Sequence, residues 1–191
     1  MENENVGNIG VMRTLLVARL FEPKDKSLMN DTDFLKAHPV TLYPNMWKEI
    51  KSGRRNVVNK KITTAYCTFL ALMHQTETAL IGDFKYHHSG TGGAGGEFIT
   101  DVGLVAPVEN ARDIGTQVAA GVTYTSVATT TYTGAYAPCA ISEHGLFDAV
   151  GAGGPPVTGP TLMDRSTFAD INVIAGNQIQ WTFVITFVAG G

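Results

Sequence analysis

The stretch that decides the fold is QIQWTFVITF, Gln178 to Phe187. Ile179, Trp181, Phe183, Ile185 and Phe187 alternate with Gln178, Gln180, Thr182, Val184 and Thr186. Successive side chains of a strand point to opposite faces, so this run sets five large apolar groups on one face and mostly polar groups on the other. That is the pattern of a half-buried antiparallel strand. Burying Trp181 and Phe183 stabilises the fold by about 1.5–3 kcal/mol each. Gly176-Asn177 supplies turn residues just upstream, so Phe168 to Ile174 is expected to be the hairpin partner.

Working outward, VTYTSVATTTYTG at 122–134 is rich in β-branched and aromatic residues and has no helical period. The run 135–149 reads as a strand pair interrupted by Pro138, and GAGGPPVTGP at 151–160 as a turn-rich loop. The expected fold class is therefore mainly β: an antiparallel β-sandwich over 81–191, preceded by a short helical part and an extended arm. The arm covers 1–30, with an apolar stretch from Thr14 to Phe21 ended by Pro23. The helical anchoring region covers 31–80. One helix is expected to start at Pro44, with Met46, Trp47 and Ile50 as its stripe and Gly53 as its stop. A second runs from Asn59 to His74 on Ile62, Tyr66, Phe69 and Met73. Leu20 and Phe21 at the end of the arm, with Met46 and Trp47 on the first helix, are the candidate interface anchors, because large apolar and aromatic groups dominate interface energetics.

The chain has 191 residues, enough to bury a core without metal or disulfide help. The net charge of −3 gives no bulk attraction to nucleic acid. The basic cluster from Lys48 to Lys61 lacks aromatic interleaving for base stacking, and reads as a solvated helix face or a contact for an acidic protein. Charged residues make up only 16%, which suits a surface partly covered by partners. Cys67 and Cys139 form no metal or disulfide framework and read as buried thiols of a reducing cytoplasm. The N-terminal run lacks a signal-peptide pattern, with Glu2 and Glu4 ahead of it and Arg13 and Arg19 within it. Its apolar stretches are too short for a membrane span.

Groups that could carry chemistry are few. His87-His88, adjacent on a strand, point to opposite faces and make poor joint metal ligands. SGTGGAGG at 89–96 lacks the Lys-Ser/Thr ending of a phosphate loop and opens no amphipathic helix, so it reads as a flexible loop. Glu143-His144 would suit acid–base work, but no nucleophile sits in a recognisable setting. Asp164-Arg165 reads as a local ion pair. The expectation is a protein with no enzymatic activity, no cofactor and no metal.

Three ordered segments carry a resemblance. DFKYHHSGTGG at 83–93, ISEHGLFDA at 141–149 and TLMDRSTFADINVIAGNQIQWTFVITF at 161–187 together resemble a group of small virion structural proteins of tailed bacteriophages. A looser form of the last two segments occurs in tail-fibre and tail-collar attachment domains. The Pro155-Pro156 loop and His144 depart from that looser form. The resemblance implies a virion component made in the bacterial host cytoplasm, with the major capsid protein or tail and neck proteins as partners. It implies a capsid cement or decoration role, with a tail, neck or fibre-adaptor role as the alternative. It also implies a homo-oligomer, a trimer being one option. A host-surface glycan-binding module, using the loops at 89–96 and 151–160, is the second alternative. No nucleic acid or membrane is expected among the partners.

Overall fold

The computed structural model describes residues 12–58, 62–68, 84–108, 111–150 and 160–187. They form two antiparallel sheets packed face to face, as the alternation in the last strand requires. Nine strands run in chain order: β1 (Met12–Pro23), β2 (Trp47–Val58), β3 (Tyr86–Gly90), β4 (Asp113–Ile114), β5 (Thr116–Ala120), β6 (Thr123–Thr131), β7 (Cys139–Phe147), β8 (Leu162–Val173) and β9 (Gln178–Phe187). The first sheet has the order β2-β1-β9-β6-β5, and the second β4-β3-β7-β8.

The strand Gln178–Phe187 is the centre of the first sheet, as its apolar face demands. Ile179, Trp181, Phe183 and Ile185 are buried, packed with Leu16, Ala18 and Leu20 of β1 and with Ile141, Leu146, Ile171 and Val173 of the opposite sheet. Its partners are β1 and β6, not the preceding strand. The expected hairpin of Phe168–Ile174 with β9 is thus corrected: β8 pairs with β7 in the other sheet. The Gly176 turn does exist, with φ +85°, but it carries the chain from one sheet to the other. Gly176 N–H donates to the Tyr132 carbonyl at 2.8 Å. A Cβ on Gly176 would lie 2.1 Å from the Met29 carbonyl oxygen, so only glycine fits there. The 135–149 run is also simpler than expected, giving a single strand, β7, after Pro138.

The N-terminal half departs furthest from the sequence reading. Residues 12–23 of the expected arm are an inner strand of the first sheet, held on both sides. The expected helix at 44–53 is replaced by a three-residue 3₁₀ turn, Pro44–Met46, and the start of β2. Its apolar spacing matched a helix by coincidence: Trp47, opposite Pro23, packs in the small core beneath α1, while Ile50, opposite Leu20, packs on the main core, so the two lie on opposite faces of β2. Ala18 faces Arg55 and Leu20 faces Ile50, so four residues of β2 loop out against one of β1 and the alternation loses phase. Gly53 lies in that bulge, where a Cβ would fall 2.5 Å from Leu20 Cβ; it is a close-approach glycine and not a helix stop. Helix does occur at α1 (Thr32–Ala37), where the Asp31 side chain accepts the Phe34 N–H. The second expected helix survives as a turn over 64–68; its continuation to 74 lies outside the described residues.

Candidate functional site

Two buried polar assemblies and one open surface are the places where this fold could act. The first assembly lies between the sheets. His87 on β3 projects inward, and its Nδ1 is 3.0 Å from Nε2 of His144 on β7. Its Nε2 is 2.8 Å from the Ser126 hydroxyl on β6. The His144 ring lies against Trp181, with centroids 4.6 Å apart. Trp181 Nε1–H donates to the Thr130 hydroxyl at 2.9 Å, and that hydroxyl donates to Asp113 of β4. Ser126–His87–His144 has the order nucleophile, base, orienting group. All three side chains are fully buried. A Cβ on Gly115 would lie 2.5 Å from the Ser126 hydroxyl and 2.9 Å from His87 Nε2, so the chain itself closes over the pair. Burial pushes the His87 imidazole down to about 3. Burial, with His87 and His88 alongside, also pushes His144 well below the usual range. Such an imidazole is too weak a base for proton abstraction near neutral pH. The arrangement holds the two sheets together by neutral hydrogen bonds. Burial has the opposite effect on Asp113, which is raised to about 6 against the pull of the Thr130 hydroxyl.

The second assembly lies on the outer side of the second sheet, under the chain from 91 to 106. Glu143 and Arg165 are adjacent there because β7 and β8 pair in register, Gly145 opposite Arg165. Glu143 Oε1 accepts the N–H groups of Gly92 at 3.1 Å and Ala106 at 2.7 Å. Its Oε2 accepts from Val105 N–H at 3.1 Å and Arg165 Nε at 2.8 Å. Arg165 also donates to Asp101 at 2.9 Å and to the carbonyls of Gly96 and Gly92 at 2.6 and 3.0 Å. Burial works against the guanidinium charge, yet the bonds to Asp101 and Glu143 outweigh it and hold Arg165 above its ordinary range. The glycine stretch is therefore pinned, not a free loop. Its glycines admit this carboxylate: a Cβ at Gly90 or Gly92 would lie 2.5 Å from Glu143 Oε1. This cover also explains why both adjacent histidines are buried. His87 faces the core, and His88 faces the other way but lies beneath the covering chain, edge-on to Phe147. The local pairing expected for Asp164 and Arg165 is corrected: Asp164 accepts from Ser166, and Arg165 pairs with Glu143 and Asp101.

The expected interface anchors fall in two groups. Leu20 lies in the main core. Phe21 and Trp47 lie in a small second core with Leu35 and Val40, beneath α1. Trp47 Nε1–H donates to the His38 carbonyl. These three are consumed by packing within the chain, and only Met46 is exposed. Cys67 is also exposed, in contrast to the expected buried thiol, while Cys139 is partly buried. Lys48, Lys51 and Arg54 of the basic cluster project from the edge strand β2 rather than from a helix. Lys60 and Lys61 lie outside the described residues.

The open surface is the outer face of the first sheet, which sequence reading missed. Register places Leu15, Val17, Arg19 and Phe21 of β1 on this face, with Thr182, Val184 and Thr186 of β9, Thr123, Thr125, Val127 and Thr129 of β6, and Thr116, Val118 and Ala120 of β5. Over residues 15–21 of β1 and all of β5, β6 and β9, its single charge is Arg19, which is paired with Glu49 at 2.6 Å. The α1 segment covers one end of the face, where Gln178 bridges the Leu35 carbonyl and the Val40 N–H. Beside it, a groove of about 330 Å³ runs between Pro39, Thr41, Leu42, Thr116, Val127 and Thr129. The outer polar positions of the β strands were legible as threonines, but only pairing brings them onto one surface.

Among the described residues, no group of three or more His, Cys, Asp or Glu side chains is placed to hold a metal ion. No helix among them is long and apolar enough to cross a membrane. Comparison with protein-family models, curated proteins and solved structures found no match.

Proposed function

We propose that this chain is a non-enzymatic structural component of a tailed-phage virion, a capsid-associated cement or decoration protein that contacts neighbouring capsid subunits. The observation that carries the proposal is the outer face of the first sheet. Across β5, β6, β9 and residues 15–21 of β1 it carries one charge, the paired Arg19, and is built mostly of Thr, Val and Ala side chains that are half-buried or exposed. Such a face loses little on desolvation and fits packing against another protein.

The resemblance supports the same reading in a specific way. Of the residues in the resembling segments, Glu143 and Arg165 hold the covering chain, and His144 packs across the core on Trp181. They serve rigidity, and a rigid sandwich is what a particle-bound spacer requires. The groups that could have served catalysis, Ser126, His87 and His144, are sealed and neutral.

Mass spectrometry of purified particles tests the proposal. The chain is expected among the virion proteins, at hundreds of copies for a capsid role. A dozen copies or fewer would move it to the tail or neck, and absence from the particle would end the virion reading. Tight, saturable binding on a glycan array would favour a host-surface recognition module instead.

A further inference from the structure

A row of buried polar contacts joins β3 and β4 of the second sheet to β6 of the first. Tyr124 O–H donates to the Phe84 carbonyl at 2.6 Å, and the Ser89 and Tyr132 hydroxyls meet at 2.7 Å. Between them lie the His87–Ser126 contact and the bond from Thr130 to Asp113. The chain passes from β4 to β5, and so from one sheet to the other, at Gly115 alone. This corner packs directly on His87 and Ser126.

The hydrogens of the two imidazoles can be counted. Neutral rings carry two N–H groups between them. One lies in the junction of His87 Nδ1 with His144 Nε2. The other belongs on His87 Nε2, where the Ser126 oxygen accepts it, because His144 Nδ1 is buried without a hydrogen-bond partner. A third hydrogen must go to His144 Nδ1 in every arrangement that keeps the junction, leaving a buried cation with an unanswered N–H. A fourth breaks the junction outright. Neither ring bonds a carboxylate to offset this. Asp113 on β4 accepts from Thr130, Glu143 on β7 faces outward to Arg165, and Asp164 on β8 accepts from Ser166. His88 faces the covering chain, Arg112 lies over Phe147 and Lys85 over Tyr86. From β6 and β9 the rings meet Ser126 and Trp181.

We infer that the buried His87–His144 pair is an acid-operated latch, and that the β4–Gly115 corner is the gate it opens. The choice of gate follows from what holds each element against the pair. β7 and β9 are inner strands, each paired along its length on both sides. β4 is two residues long and pairs with β3 at Tyr86 and His87. The bond from Gly115 N–H to the Lys85 carbonyl, at 2.7 Å, and the Thr130–Asp113 bond complete its attachment. Elements tied by so few bonds open locally before the whole fold does. Displacing the corner brings water to His87, and the added protons are then solvated. The inference stands on this cluster and is independent of the virion reading.

Proton counting gives the latch a signature. Once open, each imidazole takes a proton below about pH 6.5, which His87, lowered to about 3, and His144, lowered well below its usual range, refuse while closed. Asp113 works the other way, holding a proton below about 6 in the closed form and losing it on opening. Between pH 6 and 4 opening therefore takes up about one net proton, two on the imidazoles against one from Asp113.

Hydrogen exchange of the unmodified chain from pH 7 to pH 4, read by mass spectrometry and corrected for the intrinsic rate, tests the location. Peptides over 112–118 should gain exchange at least tenfold while those of β7 and β9 keep their protection. Fluorescence of Trp181, made the sole tryptophan by Trp47→Phe, counts the protons, since the His144 ring lies against it. The slope of its acid transition should correspond to about one proton, rise to about two with Asp113→Asn, and vanish above pH 4 with His87→Asn. Exchange that rises in β7 and β9 together with 112–118 would overturn the inference. So would a Trp181 signal that moves only with loss of far-ultraviolet circular dichroism, or a slope that neither substitution changes.

Discussion

The two sheets of this sandwich are finished in different ways. The second is closed: its outer face lies under the chain from 91 to 106, and its long edge is capped by Arg55, Glu97 and residues 62–63. The first is open among the described residues: beyond α1 none of them covers its outer face, and its edge strand β5 carries no charge. The closed sheet is locked by buried charge, the Glu143–Arg165–Asp101 group. The open sheet has its charge expelled to β2. Buried charge is costly unless every partner is present, so it fixes one geometry and resists change. A neutral Thr/Val surface costs little to expose and little to cover. The contrast teaches which half of the molecule holds shape and which half is free to meet a partner.

The contrast breaks most severely at Arg165. Arg165→Ala leaves Glu143 buried without its cation and should cost about 3–5 kcal/mol, read as a drop in the midpoint of chemical denaturation. Limited proteolysis should then cut first within 91–106. Pairing it with Glu143→Leu should not restore stability, because the N–H groups of Gly92, Val105 and Ala106 would then lose their acceptor.

Acid comes next. His87 titrates near 6.5 in the unfolded chain and at about 3 in the folded one. The unfolded chain therefore binds more protons in that window. Stability is complete above about pH 6.5 and is lost as pH falls toward 3, with a slope of up to about 1.4 kcal/mol per pH unit for each imidazole. His144 acts in the same direction. Asp113, raised to about 6, has the opposite sign: its contribution is complete below about pH 3.8 and is lost as pH rises through 6. It keeps some solvent contact, so the two imidazoles dominate and the protein should weaken in acid. His87→Asn should flatten the lower part of the stability–pH curve, and Asp113→Asn should steepen it between pH 4 and 6.

Smaller effects sharpen the comparison of edges. Gly53→Ala pushes a methyl group into Leu20 and should cost about 1–3 kcal/mol by overpacking, measured by thermal denaturation. Val118→Lys on the opposite edge, where the side chain is exposed, should change stability by no more than about 0.5 kcal/mol in the same measurement.

The legibility of the chain follows the range of its interactions. The β class and the last strand could be read because strand alternation is local. The helix expected at Pro44 failed because Trp47 and Ile50, three residues apart, are buried on opposite faces of β2 against two different cores, so the strand shows no single apolar face to read. Glu143 and Arg165 were visible as residues but not as a pair, since they are 22 positions apart in sequence and only the β7–β8 register joins them. The anchoring role expected for Leu20, Phe21 and Trp47 rested on their size alone, and burial within the chain accounts for these three.

By itself, the sequence determined that QIQWTFVITF must be a strand with one apolar face, and that β-rich segments surround it. The tertiary structure alone decided that its neighbours are β1 and β6 rather than the segment just before it. It also decided that the chain changes sheet at Gly176, and that β5 ends up as the outermost strand of the first sheet among the described residues. Alternation is a property of neighbouring residues, whereas pairing and edge position are chosen by contacts between residues far apart in the chain, where burial of the whole core selects one arrangement.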